Sequence, residues 1–447
     1  MSAPRRAALD CIIAVLLDDA YANLVLPGIL RQYRLDARDA ALATELAYGA
    51  LRQQGLYDAI IAKAASRSVE TLDVMVRAIL WLGVHQALAM RIPTHAAVDQ
   101  TVTLVKDAGA ARASGLVNAV MRRVTEASRE RWLARVAPGK TRADIATRHS
   151  HPEWVVGELE QALAADGRPG EAEQLLASHN ESARVTLVAR PGLVDRDELA
   201  AATGGAPTQY SPLGVVCGAG DPGQYAAVRG GQAGVQDEGS QLAALALAHA
   251  PLAGQDQRWL DMCAGPGGKA AVLGAIAAQR GAHLEALELH PHRVKLVEHA
   301  IRALPGEAVT VTVADATLHR GGPYDRILLD APCTGLGALR RRPESRWRRS
   351  ANDLEELTAL QRRLMTNAVT LLRPGGVLAY VTCSPVVAET KAIVDGSGLE
   401  LLDAREVLTR VTGVHQAWGA RSDVQLWTHV HGTDSMYIAL LTAPQQS

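Results

Sequence analysis

The period of the apolar positions changes along the chain. Over the first 130 or so residues it is helical: Leu9, Ile12, Ile13 and Leu16 fall at i, i+3, i+4 and i+7, and Leu72, Val76, Ile79, Leu80 and Gly83 draw a second stripe. Pro93-Thr94 opens a further helix through Val98, Val102 and Val105. The spacing predicts an all-helical domain over 1–138, closed by the turn-forming run Pro138-Gly139-Lys140-Thr141. Over 139–235 the pattern is mixed. A helix is expected near 153–165, a strand at Val185-Thr186-Leu187-Val188-Ala189, and turns at Gly204-Gly205 and Gly230-Gly231, which together predict a small α+β linking subdomain.

From about 255 strands and helices alternate. Strands are expected at Trp259-Leu260-Asp261-Met262, 283–288, 309–313, Ile327-Leu328-Leu329-Asp330 and 377–382, with helices after Gly268, after Pro291 and over 353–372. Near-continuous apolar strands between helices predict a parallel sheet covered on both faces, an α/β Rossmann-like domain over 236–447. Such sheets bind ligands at the carboxyl ends of their strands, near the point where strand order reverses. The polar residues at those ends are therefore the candidates for chemistry.

At 447 residues the chain is long enough for several cores, in keeping with this division. Its apolar runs are broken by charge well short of the roughly 20 residues a membrane span needs. Arg5-Arg6 and the apolar stretch behind them could suggest a secretion signal, but Asp10 interrupts the stretch, so a cytoplasmic protein is expected. The five cysteines are scattered and lack Cys-x-x-Cys spacing, which predicts reduced thiols and no metal site. Net charge is only -1, yet it is segregated: residues 1–150 hold twenty Lys or Arg against fourteen Asp or Glu. Arg340, Arg341, Arg342, Arg346, Arg348 and Arg349 form a second basic run around Trp347. That run could bind phosphates and stack on a base, or could be a solvated loop.

The turn after the first strand reads Cys263, Ala264, Gly265, Pro266, Gly267, Gly268, Lys269. Its glycines allow close backbone approach to a ligand. The spacing is neither the dinucleotide fingerprint nor a phosphate loop, which disfavours NAD and ATP. Glu288 ends the second strand, where it could clasp both hydroxyls of a ribose; Asp315 follows the third and could bond an adenine amino group; Asp330 ends the fourth, near a ligand's charged end. Any one of them could instead cap a turn. An acid-lined pocket without a phosphate cradle suits a nucleoside with a cationic tail, which is S-adenosylmethionine. Cys333 and Cys383, each just past a strand end, suggest covalent chemistry on a pyrimidine base.

These residues resemble the Sun/Fmu-type (RsmB-like) family of RNA 5-methylcytosine methyltransferases, the bacterial 16S rRNA enzymes with a NusB-like helical domain. The resemblance covers nearly the whole chain. It rests on the turn 263–269, on Asp330-Ala331-Pro332-Cys333-Thr334-Gly335, Arg341-Arg342-Pro343 and Arg373-Pro374-Gly375-Gly376, and on Thr382-Cys383-Ser384-Pro385. Upstream, Glu45-Leu46-Ala47-Tyr48-Gly49 and Gly115-Leu116-Val117-Asn118-Ala119-Val120 look like that family's helical domain, and Val235-Gln236-Asp237-Glu238-Gly239-Ser240 like its approach to the catalytic domain. The chain departs from the pattern at Gly265, where alanine is commoner, at Ala270, and at Asp434-Ser435-Met436-Tyr437.

The resemblance implies that residues 263–269, Glu288, Asp315 and Asp330 bind S-adenosylmethionine. It implies that Cys383 is the nucleophile, that Cys333 assists product release, and that Asp330, Pro332, Arg341 and Arg342 meet the RNA substrate. A monomer acting on unassembled or partly assembled 16S rRNA is expected, because a cytosine inside a duplex is shielded. Rival readings are a tRNA 5-methylcytosine methyltransferase, a DNA cytosine methyltransferase and a non-catalytic antitermination or assembly factor. In the DNA enzymes the Pro-Cys thiol attacks and no Thr-Cys-Ser loop is expected, so Cys383 argues against that reading. Cys11, Cys217 and Cys263 are read as packing positions.

Overall fold

The computed structural model describes residues 2–90, 92–218, 220–415 and 418–444. By internal contacts the chain forms two compact units. The first takes the chain up to Glu160, then Pro169–Ser182 and, from far downstream, Leu339–Arg348. Helices such as Ala3–Leu17, Ala37–Arg52, Val74–Leu88 and Ser114–Thr125 pack around one core. Leu9, Ile12, Ile79 and Leu80 of the apolar stripes are fully buried in it. Side chains start the helices as expected of caps: Asp36 accepts the Asp39 amide, and Thr141 with Asp144 forms a reciprocal capping box.

The recruitment of 339–348 has a physical cause in helix ends, whose last carbonyls lack partners. Arg348 donates to the carbonyls of Val15 at 2.7 Å and Asp19 at 2.9 Å, at the end of the first helix. Arg346 is fully buried and donates to the Ser150 carbonyl at 3.1 Å and to Asn180 Oδ1 at 2.8 Å, seating the end of helix Arg142–His149. Glu344 accepts the Ala22 amide at 3.0 Å. Cationic donors at helix C-termini also complement the helix dipole. Arg346 is thus shut away from solvent and phosphate alike, and the half-buried Arg348 is engaged by carbonyls.

The second unit holds 161–168, 183–338 and the chain from Arg349 onward. Strands β1 (Thr186–Ala189), β2 (Ala206–Pro207), β3 (Gly214–Val216) and β4 (Ala233–Val235) make a four-stranded antiparallel sheet in the order β2-β3-β1-β4. Its own small core includes Leu187, Leu199 and Val215.

The larger sheet runs β10-β12-β9-β8-β5-β6-β7, with β11 (Val424–Gln425) paired to β12. Its parallel part is β5 (Arg258–Asp261), β6 (His283–Glu288), β7 (Val309–Val313), β8 (Tyr324–Asp330) and β9 (Leu372–Thr382). The sheet is not wholly parallel, as the apolar runs suggested. β12 (Tyr437–Thr442) lies antiparallel to β9, and β10 (Glu400–Leu402) antiparallel to β12. The reason is that β12 is covered on both faces: Tyr437, Ala439 and Leu441 enter one core, and Ile438 and Leu440 the other. A doubly covered strand reads as an unbroken apolar run whatever its direction. Strand order reverses between β5 and β8, and their carboxyl ends carry Asp261 and Asp330.

Candidate active site

At the end of β5 the glycine-rich turn leads into helix Gly268–Arg280. Gly267 sits at φ 104°, and a Cβ there would stand 2.6 Å from the Ala300 Cβ, so only glycine lets the turn pack this closely. Gly265 serves a different purpose. A Cβ on it would lie 2.1 Å from Glu288 Oε2 and 2.8 Å from Arg293 Nη2. Those groups fill the space: Arg293 Nη2 donates to the Gly265 carbonyl at 2.7 Å, and its Nη1 lies 3.3 Å from Glu288 Oε2. Glu288 Oε1 accepts the His290 amide at 3.0 Å. Turn, carboxylate and guanidinium form one cradle, and the absent methyl at 265 is what admits Glu288 to it. Asp315 lies just past β7; its Oδ1 accepts the Thr317 amide and hydroxyl, at 2.8 and 2.7 Å, and the residue is exposed.

Asp261 had drawn no attention in the sequence beyond ending a strand. It is almost wholly buried, its Oδ1 accepts the Cys263 amide at 3.2 Å, and its Oδ2 has no partner. Burial, reinforced by the nearby Asp330 carboxylate, pushes its pKa up to about 7. A buried oxygen without a donor beside two further carboxylates repels phosphate. It suits a ligand that brings hydrogen-bond donors and positive charge, so the residues present fit S-adenosylmethionine.

Across the strand ends, Lys269 Nζ binds Asp330 Oδ2 at 2.8 Å. Burial is the largest single influence and works against its ammonium, but the charge and hydrogen bond of Asp330, with smaller contributions from Cys383 and Asp261, together outweigh it, and the amine is held above its usual range. Cys333, in the loop after β8, and Cys383, directly after β9, place their sulfurs 3.4 Å apart. The hydrogen bond to Cys383 together with burial drives the Cys333 thiol well above its ordinary range.

Two ties hold the cysteine loops together. Gly337 donates to the Cys383 carbonyl at 2.9 Å and accepts the Ser435 amide at 2.8 Å. A Cβ on Gly337 would stand 2.1 Å from the Ser435 carbonyl oxygen. The second tie is Glu389, fully buried, which accepts both the amide and the hydroxyl of Thr334, at 2.7 and 2.6 Å. The Thr334 hydroxyl in turn lies 3.2 Å from that of Ser384. Neither Gly337 nor Glu389 stood out in the sequence; the available signal was a lone acid in the run Pro385-Val386-Val387-Ala388-Glu389-Thr390.

The structure thus gathers the 263–269 turn, Glu288, Asp330, Cys333 and Cys383 at one end of the sheet. Pro332 is exposed beside Cys333, and its carbonyl accepts the Gln361 side chain at 2.8 Å. Arg341 and Arg342 belong to the segment grouped with the helical unit, where Arg342 stacks over Tyr21 with its guanidinium 5.1 Å from the ring centre. The remaining cysteines lie outside the thiol pair. Burial raises Cys11 to about 12 and lifts Cys217 and Cys263 as well. Among the described residues no cluster of metal-ligating side chains exists and no helix is long and apolar enough to cross a membrane.

Known proteins resemble this chain in sequence and in fold. The profile of the family described as 16S rRNA methyltransferase RsmB/F matches residues 248–442, and that of the NusB family matches residues 2–126. The chain is 46% identical to "Putative methyltransferase Rv1407" of Mycobacterium tuberculosis, over 98% of this chain and 96% of the relative. It is 33% identical to the ribosomal RNA small subunit methyltransferase B of Pseudomonas putida, over 98% of each chain. Among solved structures, the crystal structure of PH0851 superposes with a TM-score of 0.79 at 20% identity, covering 99% of both chains, a likeness of fold.

Proposed function

We infer the reaction from a premise the relatives supply: the chain belongs to the RsmB/F family of 16S rRNA methyltransferases and is an S-adenosylmethionine-dependent RNA methyltransferase. Within that activity, the reading we propose is methylation of carbon 5 of a specific cytosine in 16S rRNA through a covalent cysteine-cytosine intermediate. The observation that carries it is the thiol pair, two sulfurs 3.4 Å apart at the ends of adjacent parallel strands. Carbon 5 of cytosine is a weak nucleophile. A thiolate adding to carbon 6 turns the ring into an enamine, which splits one hard step into two easier ones.

Cys383 Sγ is the proposed nucleophile, and the nearby Lys269 ammonium favours its thiolate form. Asp330 anchors Lys269 through Oδ2 and keeps Oδ1 for the cytosine amino group. S-adenosylmethionine, when bound, supplies the methyl group; the 263–269 turn, Glu288, Asp261, Asp315 and Asp330 would hold it. Once carbon 5 is methylated its proton must leave and the bond from carbon 6 to sulfur must break, a step in which Cys333 assists. The helical segment 1–138 and the linking segment 139–235 are the proposed RNA-binding parts, with Pro332, Arg341 and Arg342 among the substrate contacts, and 236–447 is the catalytic part. The target cytosine has to be unpaired or flipped out, which points to unassembled or partly assembled rRNA.

Replacing Cys383 by Ala is expected to abolish both methylation and covalent capture of RNA, whereas Cys333→Ala accumulates a protein-RNA adduct, visible as a shifted band on denaturing gels. Unchanged turnover in Cys383→Ala ends the assignment. Bisulfite mapping of rRNA and tRNA from a deletion strain reads the substrate. Loss of 5-methylcytosine at no rRNA position refutes 16S rRNA, and loss confined to tRNA replaces it.

A further inference from the structure

Two thiols 3.4 Å apart do not both ionise, so something decides which of them does. The surroundings of the pair are not symmetric. Glu389 lies on the Cys333 side, bonded to the residue that follows that cysteine. Its carboxylate is wholly buried and accepts only neutral donors: the Thr334 amide and hydroxyl, and the Gln361 side-chain amide at 3.2 Å. Among the described residues it forms no ion pair. Lys269 lies on the Cys383 side, tethered by Asp330. Cation, thiol, thiol and anion thus follow one another across the site. The reaction proposed above gives Glu389 no part.

We propose that Glu389 assigns the two cysteines their roles: its unpaired buried charge keeps the shared proton on Cys333, so the negative charge resides on Cys383, the sulfur that faces Lys269. The proposal rests on the thiol chemistry proposed above and explains why, of two adjacent cysteines, only one attacks. The pair gives up one proton to solvent; the remaining one sits on Cys333 Sγ and is donated to Cys383 Sγ. The groups facing Cys333 are Cys383, Glu389, the Gly335 amide, which alone works in favour of its thiolate, and the Tyr380 hydroxyl, which itself donates to the Glu389 carbonyl at 2.8 Å and brings no cation. Cys333 and Lys269 are among those facing Cys383. The upward displacement of the Cys333 thiol has Glu389 among its causes, after the bond to Cys383 and burial. Glu389 touches no reacting atom; it is a positioning residue acting through its field and through Thr334.

The test is alkylation of the full-length protein by iodoacetamide across pH 5.5 to 9.5, with peptide mass spectrometry reporting Cys333 and Cys383 separately. In the wild type Cys383 is modified first and at lower pH. Glu389→Gln keeps the shape and the bond from the Thr334 amide, turns the one with the Thr334 hydroxyl into a bond that the side chain donates, and removes the charge. It is expected to raise the ratio of Cys333 to Cys383 modification about tenfold or more, the equivalent of about one pKa unit or more, and Glu389→Asp is expected to restore most of the wild-type preference. A ratio within about twofold of wild type in folded Glu389→Gln protein overturns the proposal, taking a tenfold change as about one pKa unit. Should that variant not fold, the wild-type profile alone decides, because Cys333 reacting at the same pH as Cys383 or below it overturns the proposal equally. Methylation surviving in Cys383→Ala would instead strike the proposed reaction and leave the alkylation order standing.

Discussion

Replacing Asp261 by Asn offers a direct measure of how the pocket treats charge. In the folded chain this carboxyl keeps its proton up to about pH 7, against an ordinary 3.8 for an exposed aspartate. Between those values the folded state holds a proton that the unfolded state has released, so stability falls as pH rises through the window and levels off above it. Each unit costs about 1.4 kcal/mol until the slope halves near the folded pKa, which makes about 2 kcal/mol between pH 5 and pH 7. The side chain is almost wholly buried, so solvent screens little of this. Asn has the same shape and never ionises; its stability relative to wild type should therefore climb by about 2 kcal/mol from pH 5 to pH 7 and change little more by pH 8. Urea unfolding of both proteins at pH 5, 6, 7 and 8, read in the transition of the unit that carries Asp261, gives the difference with the titrations of distant groups cancelled. Saturating S-adenosylmethionine should flatten the profile, since a cation beside the carboxyl lowers its pKa. A difference that is the same at every pH would refute the account of Asp261 as a buried acid with one oxygen left without a donor.

Three other substitutions test the geometry. Gly337→Ala would drive a Cβ to 2.1 Å from the Ser435 carbonyl oxygen and 2.8 Å from that of Cys383, backbone atoms that cannot swing away. kcat should fall on the order of 100-fold while calorimetric affinity for the cofactor holds. Gly265→Ala would push against Glu288 and Arg293, which are flexible, so calorimetry should show cofactor affinity weaker by about tenfold, or about 1.4 kcal/mol, with the fold intact. Arg346→Leu would strip donors from the Ser150 carbonyl and from Asn180, and should lower the stability of the helical unit by about 3 kcal/mol in thermal or urea unfolding.

Much of the catalytic unit was legible because its information is local. Strands β6 and β7 stand where the apolar runs placed them, and Asp330, Glu288 and both cysteines sit at strand ends because a parallel sheet brings every carboxyl end to one edge. What escaped depended on contacts between distant residues. Glu389 looks like a lone surface acid until Thr334, 55 positions away, is seen to bond it. Gly337 looks like any loop glycine until Ser435 closes over it. Asp261 is a strand-end aspartate in sequence; only burial with one oxygen left without a donor makes it unusual. The arginine run was read by charge alone, and charge does not say whether a guanidinium meets phosphate or the carbonyls at a helix end.

The placement of 339–348 carries a lesson for anyone dividing the gene. Residues 1–182 expressed alone would lack Arg346 and Arg348, leaving two helices without the donors that finish them. Residues 183–447 alone would keep those arginines stripped of every carbonyl they serve. No single cut yields either half whole. Exchanging the helical unit between relatives therefore calls for transplanting three stretches of coding sequence together, the last entering a few codons past Cys333.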